Sequence, residues 1–300
     1  MKLVKLLYSL FIKYLEIQAL REFLITPEIK KTHQLLNLFG RKHVIQSVAP
    51  KGDVLVNHLK GGLLICDRND LIQSYLIYHR TFSPHIIDAI QSFIRPKSYF
   101  IDIGAHCGAL SIPIALNNPQ SKVIAIEPQL NLAERLHKNK KINNLNNLLI
   151  ESIGLYSKEG ELEISLPRGN DGKVISELVG KLDVKYTGLS SNEKIPVSTM
   201  DSLMSNKESA LISVIKIDVQ GNELEVLKGA KKTLKKHRPC LIIEIEDKLV
   251  NNPISHRLKL KKILEENNYK LFLLDSNLSN KYPMADLDLP MENDFLAIPI

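Results

Sequence analysis

The stretch from Tyr99 to Ser111, YFIDIGAHCGALS, constrains this chain more than any other. Its first five residues are apolar apart from Asp102 and lie between Pro96 and Gly104. A run this short and apolar suits a strand buried on both faces of a parallel sheet. Gly104 and Gly108 then bracket a tight turn, and the apolar segment Ala109 to Leu116 follows at helical length. Strand, glycine loop and helix start together bring free N–H groups and partial positive charge close to a ligand. The spacing is Gly-x-x-x-Gly, not the Gly-x-Gly-x-x-Gly of dinucleotide sites. The next strand, KVIAI from Lys122 to Ile126, ends in Glu127. An acidic residue roughly 20 positions past such a loop is where nucleoside-binding folds hold ribose hydroxyls. A carboxylate suits that task because it accepts from two neighbouring hydroxyls at once.

The remaining apolar runs extend the same pattern. Leu148 to Ile153 reads as a third strand, Leu211 to Ile217 as a fourth ending in Asp218, and Cys240 to Ile245 as a fifth carrying Glu244 and followed by Glu246. Lys270 to Leu274 and Asp294 to Ile298 complete the set. The stretch between these last two holds prolines and many Asn and Asp residues, with no room for a helix of usual length, so they are expected to pair antiparallel. The result is an α/β fold, a doubly wound sheet of seven strands with the last one reversed. Glu161 to Leu166 alternates like a half-exposed strand, and residues 167–193 read as a long irregular loop and candidate substrate lid. Ahead of the sheet, 46–95 holds a hairpin (Val54 to Leu59, Gly62 to Cys66) and helices that cap it. The expected division is a helical extension over 1–45, this capping region, and a ligand-binding domain over 96–300.

Composition narrows the partners. The 300 residues carry a net charge of +7, yet the lysines are scattered and no basic stripe with aromatics occurs, so no nucleic-acid partner is expected. Cys66, Cys107 and Cys240 are far apart and form neither a disulfide framework nor a CxxC pattern, which points to a reducing, cytoplasmic setting. Within residues 1–25, Leu3, Leu6, Leu7, Leu10, Phe11, Tyr14 and Leu15 recur at helical spacing with lysines between them. That amphipathic helix is expected to pack on its own domain or on a partner chain, with peripheral membrane contact as the competing reading.

The fourth strand and its sequel carry a resemblance. VIKIDVQGNELEVLKGA, Val214 to Ala230, is similar to the signature Lys-x-Asp-x-x-Gly-x-Glu followed by Leu-x-Gly-Ala of the FkbM family of S-adenosylmethionine-dependent methyltransferases. Lys216, Asp218, Gly221, Glu223, Leu227, Gly229 and Ala230 match it. YFIDIGAHCGALS resembles the family's Asp-x-Gly-Ala-x-x-Gly loop, VIAIEP its ribose-binding strand end, and YHRTFSP (Tyr78 to Pro84) the segment before the domain. The resemblance spans about 75–300. The family usually has Asn where His106 stands and Glu where Gln220 stands.

The resemblance implies a class I methyltransferase-like Rossmann fold, S-adenosyl-L-methionine as cofactor, and O-methylation of a hydroxyl on a sugar, glycan or small metabolite. Asp102, Gly104, Ala105, His106, Gly108, Glu127, Pro128, Ser152, Ile153 and Asp218 are the candidate cofactor contacts. Asp218 is the first candidate for general base, with Glu244, Glu246 and His106 behind it, and no metal is expected. Amino-nitrogen acceptors are disfavoured, because their enzymes share an Asn/Asp-Pro-Pro-aromatic turn and no Pro-Pro occurs here. Two readings compete: an NAD-linked oxidoreductase, for which no Tyr-x-x-x-Lys pair is found, and a non-catalytic methyltransferase-like binding module.

Overall fold

The computed structural model describes residues 52–167, 190–205, Lys207, 211–274 and 292–300. The helical extension expected over 1–45 and most of the expected lid lie outside them. In chain order the strands are β1 (Asp53–Asn57), β2 (Leu63–Asp67), β3 (Tyr99–Ile103), β4 (Lys122–Ile126), β5 (Leu148–Glu151), β6 (Gly154–Leu155), β7 (Gly160–Pro167), β8 (Ser190–Ser198), β9 (Ile212–Ile217), β10 (Cys240–Glu246), β11 (Tyr269–Leu274) and β12 (Glu292–Pro299). The helices are α1 (Leu71–His79), α2 (Pro84–Phe93), α3 (Ser111–Asn117), α4 (Leu130–Ile142), α5 (Met200–Ser205), α6 (Glu223–Lys228), α7 (Lys231–His237) and α8 (Pro253–Glu266).

Seven strands form the central sheet in the order β11-β12-β10-β9-β3-β4-β5. From β10 to β5 all pairings are parallel, while β12 slots between β10 and β11 and runs antiparallel to both. Alternate residues of these strands feed two separate cores. Phe100, Val214, Ile242 and Leu296 meet Ile87 and Ile90 of α2, Ile112 of α3 and Leu136 of α4. Ile101, Ile215, Leu241 and Phe295 meet Leu224, Leu227, Leu234 and Leu260 on the opposite face. With both faces covered, β3 and β9 are buried along their whole length, which is why they read as unbroken apolar runs. Each fully buried Ile or Leu contributes about 1.5–3 kcal/mol relative to exposure.

The hairpin β1–β2 pairs Val54 with Cys66 and precedes α1, whose Asp70 carboxylate accepts from Gln73 N at 2.9 Å and so caps the helix. Proline at the first turn opens α2.

The third strand differs from its expected extent. β5 stops at Glu151, and β6, β7 and β8 build a separate three-stranded sheet in the order β6-β8-β7. The last residues of the stretch expected to be irregular, from Ser190, belong to β8, where Glu193 pairs with Ile164. Pro196 and the Ser/Asn flank hide this strand from a pattern reading. β6 pairs only with Val197 and Ser198, so β8 is an edge at Pro196, where the missing N–H is tolerated.

Candidate active site

The glycine loop is shaped by its neighbours. Gly104 has φ +83°, and a Cβ there would stand 1.9 Å from the Asp218 carbonyl oxygen. No side chain fits, so the loop lies directly on the chain leaving β9. His106 has φ +53°, in the left-handed region that Asn and His enter more readily than most residues. A Cβ on Gly108 would meet Leu136 and Ile112 within 3 Å, so this glycine serves the packing of α3 and α4.

The loop borders a cleft at the C-terminal ends of β3, β4 and β9. Ile103, Gly104, His106, Glu127, Pro128 and Gln129 line one side of it, and Asp218, Val219, Gln220 and Asn222 another. Glu127 is 3% exposed. Its Oε2 accepts from the His106 N–H at 2.8 Å and its Oε1 from the Gln129 N–H at 3.0 Å. Burial pushes this carboxyl above its ordinary range, opposed by His106 and the two peptide donors. The carboxylate is thus fixed in orientation by backbone, with lone pairs left over for a ligand.

Sequence reasoning missed the apolar wall facing this carboxylate. Leu162 and Ile164 of β7, with Ile195 and Val197 of β8, bring the second sheet onto the cleft beside Ile153 and Tyr156. The alternation of Glu161 to Leu166 was the available signal. Of the pair Ser152–Ile153, Ile153 lines the cleft and Ser152 does not.

Asp102 sits beneath the loop and outside the cleft lining. It is 1% exposed and accepts from Ser111 Oγ at 2.5 Å, tying β3 to the start of α3. Burial raises its carboxyl, with Lys216 pulling the other way. Ala105 is buried in the core behind the loop. His106 reaches outward to Asp70, Nε2 to Oδ2 3.2 Å, which fastens the cap of α1 to the loop. Burial disfavours its charge, but Asp70 raises its pKa well above the ordinary value.

Across the loop from Glu127, a row of ionisable groups crosses the sheet. Lys216 is opposite Asp102 in register and donates to Asp218 Oδ2 at 2.7 Å. Gln220 Nε2 approaches Asp218 Oδ1 at 3.4 Å, and Glu244 shares a hydrogen bond with Asp218. Burial alone would raise Asp218. Lys216, with the bonds from Glu244, Lys216 and Gln220, holds it below the usual carboxylate range instead. Burial and then the Asp218 charge push Glu244 up to about 10, so it is protonated at neutral pH. Asp294 on β12 pairs directly with Glu244, and His85 Nε2 stands 3.6 Å from its Oδ2. Asp294 and His85 were not among the candidates, because only strand order and the packing of α2 bring them to this row, whereas Lys216, two residues before Asp218 on the same strand, was read only as a motif match. Glu246 ends β10 opposite Glu292 and does not line the cleft.

The rest of the signature is architectural. Gly221 takes φ +94° and donates to Glu223 Oε1 at 2.8 Å, while His256 Nε2 stands 3.3 Å from Glu223 Oε2. A Cβ on Gly229 would stand 2.1 Å from the Tyr156 carbonyl oxygen, so this glycine lets the end of α6 rest on the chain after β6. Leu227 and Ala230 are core residues.

The sequence profile described as the Methyltransferase FkbM domain matches residues 102–271, more than half of the chain. The chain belongs to the FkbM methyltransferase family. Methyltransferase sdnD of Sordaria araneosa is 29% identical over 187 residues, 53% of this chain and 69% of that protein. The 2-O-methyltransferase NoeI of Sinorhizobium fredii is 25% identical over 191 residues, 60% and 78% of the two chains. The ribosomal RNA small subunit methyltransferase G of Helicobacter acinonychis is 33% identical over 85 residues, 28% of this chain, which spans about half of that protein.

S-adenosylmethionine is the cofactor of this FkbM methyltransferase, and the cleft fits it. Glu127 offers paired acceptors for a ribose, and the second sheet offers an apolar surface for a base. Gln129 Oε1 and Gln220 Oε1 are buried cleft-lining acceptors without a protein partner. Among the described residues no helix is long and apolar enough to cross a membrane, and no group of three or more His, Cys, Asp or Glu is arranged to hold a metal.

Proposed function

We propose that this methyltransferase acts on a hydroxyl oxygen of a neutral sugar, glycan or small polyhydroxylated metabolite. The observation that carries the reading is the position of Asp218, which lines the cleft and also belongs to the carboxyl row of Asp102, Glu244 and Asp294. The cation within that row, Lys216, is 4% exposed at its side chain and already paired. Asp218 is the member of that row that lines the cleft, and its carboxylate accepts from a hydroxyl donor. The likeness to NoeI, a 2-O-methyltransferase, supports the same acceptor chemistry.

The bound cofactor supplies an electrophilic methyl group on a sulfonium. Glu127 would hold the ribose hydroxyls, with Gly104, Ala105 and His106 offering the backbone of the loop. Pro128 and Ile153 would flank the base together with Leu162, Ile164, Ile195 and Val197. Gln129 and Gln220 present the remaining acceptors. Orientation supplies most of the acceleration in an in-line displacement. The acceptor oxygen loses its proton as the new bond forms and the proton becomes acidic. A weak base in contact therefore suffices, and Asp218 is that base. Glu244, protonated at rest, donates to Asp218 and holds it in place. We assign Glu246 no contact and His106 the role of joining the loop to α1. The division at 46 and 96, and contact of residues 1–25 with a membrane or partner, belong to this same reading.

The test is a mass-shift screen of sugars, nucleotide sugars and polyols with S-adenosylmethionine. A product one methyl heavier on oxygen supports the reading, and methylation of RNA alone rejects it. A thermal-shift arm distinguishes the cofactor class. At 100 times Kd the stabilisation is about 2.7 kcal/mol. An equal response to NADH would favour the oxidoreductase reading.

A further inference from the structure

The row that meets the cleft at Asp218 has an unusual charge count. Residues paired across a sheet share a face. By register, Asp102, Lys216, Glu244 and Asp294 stand on one face of the sheet, and Asp218 extends their line. From the elements packed on that face, the charged or titratable groups that meet Glu244 and its neighbours are Lys216 and Asp218 beside it, Asp102 beyond them, Asp294 from β12 and His85 from α2. Glu246 follows Glu244 on the same strand. Carboxyl groups therefore outnumber the lysine among them, and Lys216 cannot balance them all. A low-dielectric edge with excess carboxyl groups has two ways to lower its energy: it keeps a proton or it takes up another cation.

The cleft bounded by Asp218 is where a cationic cofactor belongs. We propose that the Asp218–Glu244 pair exchanges its shared proton for the sulfonium charge, so that cofactor binding itself strengthens Asp218 as the base. This rests on the cleft being the S-adenosylmethionine site and goes beyond it. Before binding, the pair holds one proton on Glu244. A positive charge at the rim favours loss of that proton to solvent, leaving both carboxylates ionised. During transfer, the acceptor O–H bond breaks and its proton goes to Asp218, while the O–C bond forms and the C–S electron pair returns to sulfur. The product thioether is neutral, and the pair again holds one proton. Charge and protons balance over the cycle: one proton leaves when the cation arrives, and one is recovered from the acceptor. The depressed Asp218 carboxyl and the raised Glu244 carboxyl accord with one proton shared unequally.

The experiment needs no acceptor. S-adenosylmethionine and S-adenosylhomocysteine are titrated calorimetrically into the full chain at about pH 7.5, in buffers of different ionisation enthalpy. The expected result is release of up to about one proton per site with the sulfonium ligand beyond that with the thioether. Glu244→Gln should abolish this difference while both ligands still bind. Asp294→Asn removes a charge that favours the proton on Glu244, so it should move the pH at which the release is greatest to a lower value when the titration is repeated from about pH 6 to about pH 9, and it provides a second arm if Glu244→Gln does not fold. Equal proton counts for the two ligands in the wild-type chain would overturn the proposal, as would a difference that persists in Glu244→Gln or a pH profile of the release that Asp294→Asn leaves unmoved. Failure of either ligand to bind the folded chain would remove the cofactor site as well, an outcome separable from the first two.

Discussion

The two sides of the cleft are built on different principles. On the β3–β4 side, function resides in backbone: Gly104 takes a conformation closed to other residues, and two peptide N–H groups orient the Glu127 carboxylate. On the β9–β10–β12 side it resides in side-chain charge, with Lys216, Asp218, Glu244 and Asp294 assembled across neighbouring strands. In the proposed reaction the first arrangement would hold a shape that every cofactor molecule shares, and the second would tune proton affinity, which is what methyl transfer to a hydroxyl changes. A backbone site is insensitive to substitution except at its glycines and one acid, whereas a charge row responds to a change in any member.

The sharpest break of this division is Asp218→Asn, which keeps size and hydrogen-bonding shape but removes charge and basicity. Turnover should fall by about 10²–10⁴-fold while cofactor affinity changes little. Parallel loss of affinity and melting temperature would place Asp218 with the backbone side, as a brace of the Gly221 turn. Glu127→Ala makes the converse cut. Two backbone donors lose their acceptor and the ribose loses its partner, so cofactor binding should weaken by about 1.5–3 kcal/mol, the range for bonds to a charged group. An unchanged Kd in a folded variant would make Glu127 a turn brace only.

The difference also decides what could be read from the chain alone. Spacing within one βα unit is local, so position alone pointed to Gly104 and Glu127, which line the cleft, and to Gly108, which instead serves the packing of α3 and α4. The central strands β3, β4, β9 and β10 were legible because they are buried on both faces and leave apolar runs bounded by polar or glycine residues. The acid row was half legible. Asp218 and Glu244 end predicted strands, but Asp294 joins them only because β12 inserts beside β10, and His85 only because α2 lies over that edge. β8 escaped notice because a proline sits in it and most of its neighbour is far along the chain. Asp102, at the tip of an apolar strand, looked like a cofactor ligand; its burial and its bond to Ser111 are matters of packing that spacing does not encode.

The signature carries both principles within one stretch, and Gly229 tests its architectural end. A methyl group there would meet the Tyr156 carbonyl oxygen at 2.1 Å, so Gly229→Ala forces α6 away from the chain after β6. Overpacking of this kind costs about 1–3 kcal/mol. The variant should melt lower yet retain cofactor affinity within a few-fold once folded. A loss of affinity with unchanged melting would instead give the second sheet a direct part in holding the ligand.

The smallest expected effect probes the charge row without any ligand. Glu244 has its carboxyl raised from 4.5 to about 10 in the folded chain. A group raised on folding contributes stability that is complete below its unfolded pKa and is lost as pH rises toward its folded one. The window for Glu244 therefore runs from about 4.5 to about 10. Asp218 is lowered, so its contribution is lost only as pH falls into the acid range, and Lys216 is raised above its own ordinary value, beyond the alkaline end. Other buried acids slope the same way as Glu244, but they are common to both proteins when Glu244→Gln is compared with the wild type. Glutamine keeps a neutral donor to Asp218 at every pH. The melting temperature of the variant relative to the wild type should rise steadily from about pH 6 to about pH 9, by roughly 2–4 °C for each kcal/mol that the wild type loses. A gap that stays flat across that window would mean that Glu244 is ionised in the folded chain, and the carboxyl row would then have no proton to exchange.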